Sequence, residues 1–417
     1  MPVSLVAAKS DQAAREYWKN LGITPTAEAP TGEIASRLKK RLGVDLSVEA
    51  LSDPERLRDV LAQTSNADEI AKRWLAVTSE SSLAALDRPE NEGLLGDLAQ
   101  GISGESKLDL TLVSLIDGSS PHSQRWYETI GRGGSGMGGS GMGGSEKIAK
   151  HLARLSFNAD LRCVRCHDSH IGRSGTQDDY WSFVALVRNA VKREGKRWIV
   201  SPQQESKPAF FELLDGRQRM AAPKVSRYLL ESDGEMRSFS DWAETLVNSD
   251  ALAGSMVDSL WELVHGRRLK PSPVDAFAPP VDESLNRLHG LLAKDLKANQ
   301  FDVARTLALI ISSPMAKRSV PEALRGNAVL TTDDQQRADA LELVGAFAAA
   351  VEPPRSGLQQ RIDVAMRRIG GRLRYDNQGT VLANPIEGNP RDPNTRPQNG
   401  TAKPSISMAQ RLAVDFP

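Results

Sequence analysis

Cysteine is nearly absent from this chain. Two among 417 residues cannot build a disulfide framework, so the fold must rest on buried apolar surface, and the count alone does not set the compartment. Net charge is absent too: 53 Lys and Arg balance 53 Asp and Glu. With no overall field to collect polyanions, nucleic acid and anionic membranes are excluded as general partners. No apolar run approaches the roughly 18 residues of a membrane span, so no membrane span is expected. The opening Met1-Pro2-Val3-Ser4-Leu5-Val6-Ala7-Ala8-Lys9 has neither the basic start nor the long apolar centre of a secretory signal. Hydrolase signatures are missing as well: there is no Gly-x-Ser-x-Gly and no His-Glu-x-x-His.

What chemistry the chain has is concentrated in Leu161-Arg162-Cys163-Val164-Arg165-Cys166-His167-Asp168, which holds both cysteines. Cys-x-x-Cys-His is the attachment signature of c-type haem. Thiols at Cys163 and Cys166 are spaced to form thioether bonds to the two vinyl groups of one porphyrin, which places His167 beneath the iron as proximal ligand. One covalent haem c is therefore the expected cofactor. The competing readings are a dithiol redox pair, a half zinc site and two unrelated buried thiols. A redox pair belongs at the start of a helix in a βαβ pattern, which is not found here. Zinc would need His170 and a further histidine, without the usual spacing. For the distal side of the iron the candidate is His151, beside the apolar face of the helix before the motif; its plain alternative is a histidine at the edge of a packed face. His170, His265, Met220 and Met256 stand behind it. Covalent haem attachment in bacteria takes place outside the cytoplasmic membrane, so a periplasmic or cell-surface location is expected, with an export signal upstream of Met1.

Apolar positions three or four apart predict short helices over 11–21, 32–42, 53–62 and 67–77. The run from Leu108 to Ile116 alternates and carries Val and Thr, which suits a strand, with the edge of a helix as the alternative. Residues 131–145 repeat Gly-Gly-Ser-Gly-Met and read as a flexible linker. A helix over 146–157 leads into the motif, and another opens at Thr176, with Tyr180, Val184, Val187 and Val191 on one face. Two extended runs, 198–200 and 209–214, follow. The second meets Asp215-Gly216, a hairpin signal, so 210–221 is expected as a β-hairpin. Ser240 is placed to cap the next helix. Further helices follow over 256–265, 282–296, 301–313, 338–351 and 358–369. The expected fold is mainly α: a multi-helical c-type-haem segment and a helical C-terminal domain with a small β-hairpin between them. Its parts are an N-terminal helical region 1–130, the linker 131–145, the haem-motif segment with its hairpin 146–225, the C-terminal helical domain 238–372 and a disordered tail 373–417.

The stretch from Ile148 to Trp181, with Cys-Val-Arg-Cys-His-Asp and then Thr-Gln-Asp-Asp-Tyr-Trp, resembles the haem-motif region of the large planctomycete-type cytochrome c proteins. These carry paired uncharacterised domains, the first with Cys-x-x-Cys-His and the second C-terminal to it. Phe210 to Gln218 looks like the segment joining the two. The second domain is echoed by 242–269, by Pro273-Val274-Asp275-Ala276-Phe277 and by 285–313. The likeness spans about 146–319. It departs where the family has Cys-His-Asp-His-Pro and this chain has Cys166-His167-Asp168-Ser169-His170. It departs again before Trp261, where Val257-Asp258-Ser259-Leu260 replaces Asn-Arg-x-x-Trp. The resemblance implies an exported haem-binding protein and transfers no settled activity. The expected function is electron transfer through one covalent haem to a redox partner protein. The alternatives are a haem-dependent oxidoreductase or peroxidase-like enzyme acting on an extracellular or polymeric substrate, and a non-catalytic surface binding protein whose haem is structural or absent.

Overall fold

The computed structural model describes residues 2–20, 24–79, 81–132, 144–161, 163–165, 168, 175–194, 197–203, 205, 207–213, 216–225, 234–235, 238–266, 268–270 and 282–319, with the pairs 349–350, 374–375 and 381–382. The architecture is mainly α, as expected. Helices α1 (Val3–Asn20), α2 (Thr31–Leu42), α3 (Val48–Ser52), α4 (Pro54–Leu61) and α5 (Thr64–Ser79) follow the apolar spacing of the first eighty residues. Capping residues set their starts: Ser47 accepts from the N–H of Ala50, and Asp53 from that of Glu55 just ahead of α4, whose first residue is proline. The short α6 (Leu83–Leu86) leads to α7 (Glu92–Ser103).

One element departs from expectation. Leu108–Asp117 is a helix, α8, and not a strand. Its buried residues are Leu108, Leu112, Leu115 and Ile116, a helical face, while Leu110 is left in solvent. A leucine at nearly every second position satisfies both periods, and burial of one helical face against α7 and the helix Phe239–Asn248 decides the matter.

α9 (Ser123–Arg132) and α10 (Gly144–Phe157) bracket the glycine-rich stretch, most of which lies outside the described residues. The two helices nevertheless touch each other, and Trp198 is wedged against both ends. A Cβ on Gly131 would meet its ring at 3.1 Å, and one on Gly144 at 2.6 Å.

α11 (Gln177–Ala190) starts at a full capping box, Thr176 and Asp179 exchanging bonds with each other's backbone. Two small antiparallel hairpins then pack on it. The two-residue β1 (Thr24–Pro25) pairs with Ala349–Ala350. The first hairpin joins β2 (Val191–Glu194) to β3 (Arg197–Val200), with Val191 opposite Val200. The second, β4 (Ala209–Glu212) with β5 (Gln218–Ala221), is the one that Asp215-Gly216 announces, with Phe210 opposite Met220.

α12 (Phe239–Asn248) is capped by Ser238, with Asp241 closing the box. Ser240, the expected cap, instead accepts a bond from Gln203 at 3.1 Å. Phe239 is buried and already helical, so the boundary falls two residues early. α13 (Asp250–His265), α14 (Glu283–Ala298) and α15 (Val303–Ser312) complete the described helices. α13 is buried without a break from Leu252 to Trp261, the mark of a central helix. α5, α10, α14, α15 and α2 all lie against it. One continuous apolar core runs from Val3 to Met315, so the region before the glycine-rich stretch and the helices after residue 238 are interleaved. No helix among the described residues is long and apolar enough to cross a membrane. The helices expected over 338–351 and 358–369, and the tail from 373, lie outside the described residues apart from isolated pairs.

Candidate functional site

The last turn of α10 leads into the motif through one residue, Asn158, whose φ of 55° is left-handed. Asparagine tolerates this better than most side chains, and here it is held at its N–H and at both ends of its side-chain amide. Its N–H donates to Ser255 Oγ at 2.9 Å, and its Nδ2 donates to Asp258 Oδ2 at 2.9 Å and to the Lys270 carbonyl at 3.0 Å. Its Oδ1 accepts from Arg268 Nη1 at 2.6 Å. Ser255, Asp258 and Glu262 fall three and four apart on α13, so they form one polar stripe on an apolar helix.

Each member of the stripe has further partners. Asp258 Oδ1 accepts from the Lys270 N–H at 2.8 Å. His289 Nε2 lies 3.2 Å from Asp258 Oδ2 and 3.1 Å from the Gly254 carbonyl. Both neighbours are acceptors, so Nε2 carries the proton. Glu262 accepts from Arg154 Nη2 at 2.8 Å and from Arg268 Nε at 2.9 Å. Burial by itself would raise the Glu262 carboxyl, but Arg154 and Arg268 outweigh it and hold the group below its usual range.

From this anchor the chain runs past Leu161, fully buried, into one turn of 3₁₀ helix, Cys163–Arg165. Val164 points into the core. Arg165 Nε donates to Glu146 Oε2 at 2.9 Å, and the Tyr180 hydroxyl donates to the same oxygen at 2.8 Å. Burial first, and then the Glu146 carboxylate, push the Tyr180 hydroxyl well above its ordinary value, so it remains a donor. Gln177 Nε2 reaches the Arg165 carbonyl at 3.2 Å and the Glu212 carbonyl of β4 at 3.3 Å. Its backbone N–H donates to Asp168 Oδ1 at 2.7 Å. The turn is thus tied to α10, α11 and β4 through Val164, Arg165 and Asp168.

Cys163 opens this turn; Cys166, His167 and His170 lie outside the described residues. His151 is buried in the middle of α10. At about 100° per residue it lies roughly 140° round the helix from Glu146, which holds the motif turn, and roughly 60° from Arg154, which faces Glu262. The structure therefore sets His151 and the Arg165 clamp on different sides of α10. His265 is fully buried in the last turn of α13, its ring 4.3 Å from that of Trp261. Met256 is buried on the same helix, and Met220 is exposed on the second hairpin. Among the described residues no three His, Cys, Asp or Glu side chains gather as a metal cage.

Sequence reasoning missed the α13 stripe and the Glu146 clamp. The stripe has a legible signal, polar residues at helical spacing within an otherwise apolar segment. The clamp has none, because Glu146, Arg165 and Tyr180 are ordinary surface types until the fold gathers them. Comparison of the chain with family models, curated proteins and solved structures finds no match.

Proposed function

We propose that the chain is an exported c-type haem protein that carries electrons through one haem, tethered at Cys163 and Cys166 and ligated by His167. The observation that supports this best is the braced turn at Cys163–Arg165, where the signature coincides with a backbone fixed from three sides. Such a haem would supply one-electron chemistry tuned by its axial ligands and surroundings. The protein's own contribution is rigidity. The Asn158 anchor fixes where the chain enters the motif, and Glu146 holds Arg165 beside it. Small rearrangement between redox states is what electron carriage needs, and a turn tied to α10, α11 and β4 resists rearrangement. The partner in this reading is a redox protein, and the location is the periplasm or cell surface.

The test is an absorption spectrum of the chain exported in a host with c-type haem maturation, followed by denaturing electrophoresis with a haem stain. A stained band at the mass of the chain, lost in Cys163→Ala/Cys166→Ala, is the expected result. Carbon monoxide binding would turn the reading toward an open-site oxidoreductase. A folded, exported and colourless chain would overturn covalent haem and leave the binding-protein reading.

A further inference from the structure

We infer that Tyr180 and Trp181 form a one-electron relay between the motif turn and the surface, an inference that rests on the haem reading above for the source of the oxidising equivalent. Tyrosine and tryptophan are the aromatic side chains most easily oxidised by one electron, and here they are consecutive residues of α11. Their ring centroids lie 5.0 Å apart, edge to face, close enough for an electron to pass directly. The two rings have different surroundings. Tyr180 is buried, and its hydroxyl donates to Glu146 Oε2 at 2.8 Å. The same oxygen accepts from Arg165 Nε at 2.9 Å, so two hydrogen bonds link the phenol to the turn that begins with Cys163. Trp181 is only partly buried, and its outer side is stacked on Phe211 at 5.9 Å.

Proton chemistry gives each residue its part. The phenol stays protonated until it is oxidised, since burial and the Glu146 charge hold its pKa well above the ordinary value. Once it loses an electron it becomes a strong acid, and the Glu146 carboxylate is in place to take the proton. Tyr180 then rests as a neutral radical. Tyr127 is the contrast: it is equally buried, but its hydroxyl donates to the Ile116 carbonyl, which is no base. Trp181 Nε1 is buried with no hydrogen-bond partner among the described residues. An oxidised Trp181 therefore keeps its positive charge in a poorly solvated place, so it passes the charge on and does not hold it. The oxidant is hydrogen peroxide at the haem, reduced to two molecules of water by two electrons and two protons from solvent. One electron comes from the haem and one from Tyr180, whose proton moves to Glu146. Trp181 then returns an electron to Tyr180, Glu146 returns the proton, and a small reductant in solution refills Trp181. The pair thus drains an oxidising equivalent from the motif turn to solvent.

The test mixes the full-length haem-loaded chain with hydrogen peroxide, freezes it and reads electron paramagnetic resonance. A tyrosyl signal is expected in the wild type and its loss in Tyr180→Phe, a variant that keeps the ring and the Glu146–Arg165 pair. Trp181→Phe should keep the signal but slow its decay under ascorbate severalfold. Glu146→Gln removes the proton acceptor and should slow formation of the radical about a hundredfold. It should also change the solvent deuterium isotope effect on that step, which a merely structural role would leave alone, and Glu146→Asp should restore both in part. Circular dichroism confirms that the variants fold. No tyrosyl signal, or one unchanged in Tyr180→Phe, overturns the relay, and so does a decay that Trp181→Phe leaves as it was. Flash-oxidised tris(bipyridine)ruthenium separates the two readings, because it needs no haem. A colourless chain that gives the Tyr180 signal under the flash overturns the haem reading and keeps the redox pair; a colourless chain whose signal is the same in Tyr180→Phe overturns both.

Discussion

At the scale of single residues, the region around the motif is governed by a few carboxylates that each satisfy several donors. Glu262 is the clearest. Its pKa is held down in the fold, so its contribution to stability is present above the unfolded value of about 4.3 and is lost as pH falls through the lower folded value. The stability of the wild type should therefore decline below about pH 4.5, and in Glu262→Gln this acid limb should flatten, as read by urea midpoints across the range. At neutral pH, Glu262→Ala leaves Arg154 and Arg268 facing each other without their shared anion and should cost about 3 kcal/mol or more; a loss below about 1 kcal/mol would show that the arginines find other partners. Asn158→Gly keeps the left-handed backbone but takes one hydrogen bond each from Asp258, Arg268 and the Lys270 carbonyl, and should cost about 2 kcal/mol. If instead the cost matches only the few tenths expected of backbone freedom, the side-chain bonds are not what holds the chain there. None of these partners was legible from the sequence. The Cys-x-x-Cys-His spacing was, because covalent chemistry writes its geometry into adjacent positions. Hydrogen-bonded partners a hundred residues apart, such as Asn158 and Asp258, leave no such local pattern.

At the scale of elements, local signals carried most of the fold. The α11 box at Thr176 and Asp179 and the Asp-Gly turn between β4 and β5 sit within a few residues of what they direct, so both could be read directly. Thr176→Ala should cost about 1 kcal/mol, measured by chemical denaturation. The effect should be matched by Ser238→Ala at the start of α12, where the same box is built. The element that misled, α8, has a leucine at almost every second position, and burial against α7, α9 and α12 makes it a helix. The close approach of Trp198 to Gly131 and Gly144 was not legible either, because a glycine that makes room for a ring looks the same in sequence as one in a linker. Gly144→Ala, whose Cβ would fall 2.6 Å from the ring, should destabilise by about 1–3 kcal/mol, and Gly131→Ala, at 3.1 Å, by less. The reverse order in thermal unfolding would show that the ring yields more easily at the α10 end.

At the scale of the whole molecule, the chain reads as a series of segments separated by a glycine-rich stretch, while the structure buries those segments in one core. The ties that cross are specific. Trp74 Nε1 donates to Ser259 Oγ at 2.9 Å, Arg58 pairs with Asp302 at 2.9 Å, and buried Arg37 donates to the Arg318 carbonyl at 2.7 Å. Each joins a helix before residue 80 to the helices after residue 250 or the turn that follows them. Apolar spacing marked most of α5 and the second half of α13 as helices, but not that each would be buried against the other, since any apolar stripe is complementary to any other at that level. A shared core makes a strong prediction about cooperativity. The fragment 144–319 exposes the face of α13 that α5 covers and the face of α14 that α1 covers, so alone it should lack a sharp unfolding transition. Adding the fragment 2–132 should restore one, with tryptophan fluorescence and far-ultraviolet dichroism melting together as they should in the intact chain. A sharp transition in 144–319 by itself would mean that the haem-motif segment and the C-terminal helices carry their own stability. In that case the N-terminal helices would be a removable cover and not half of the core.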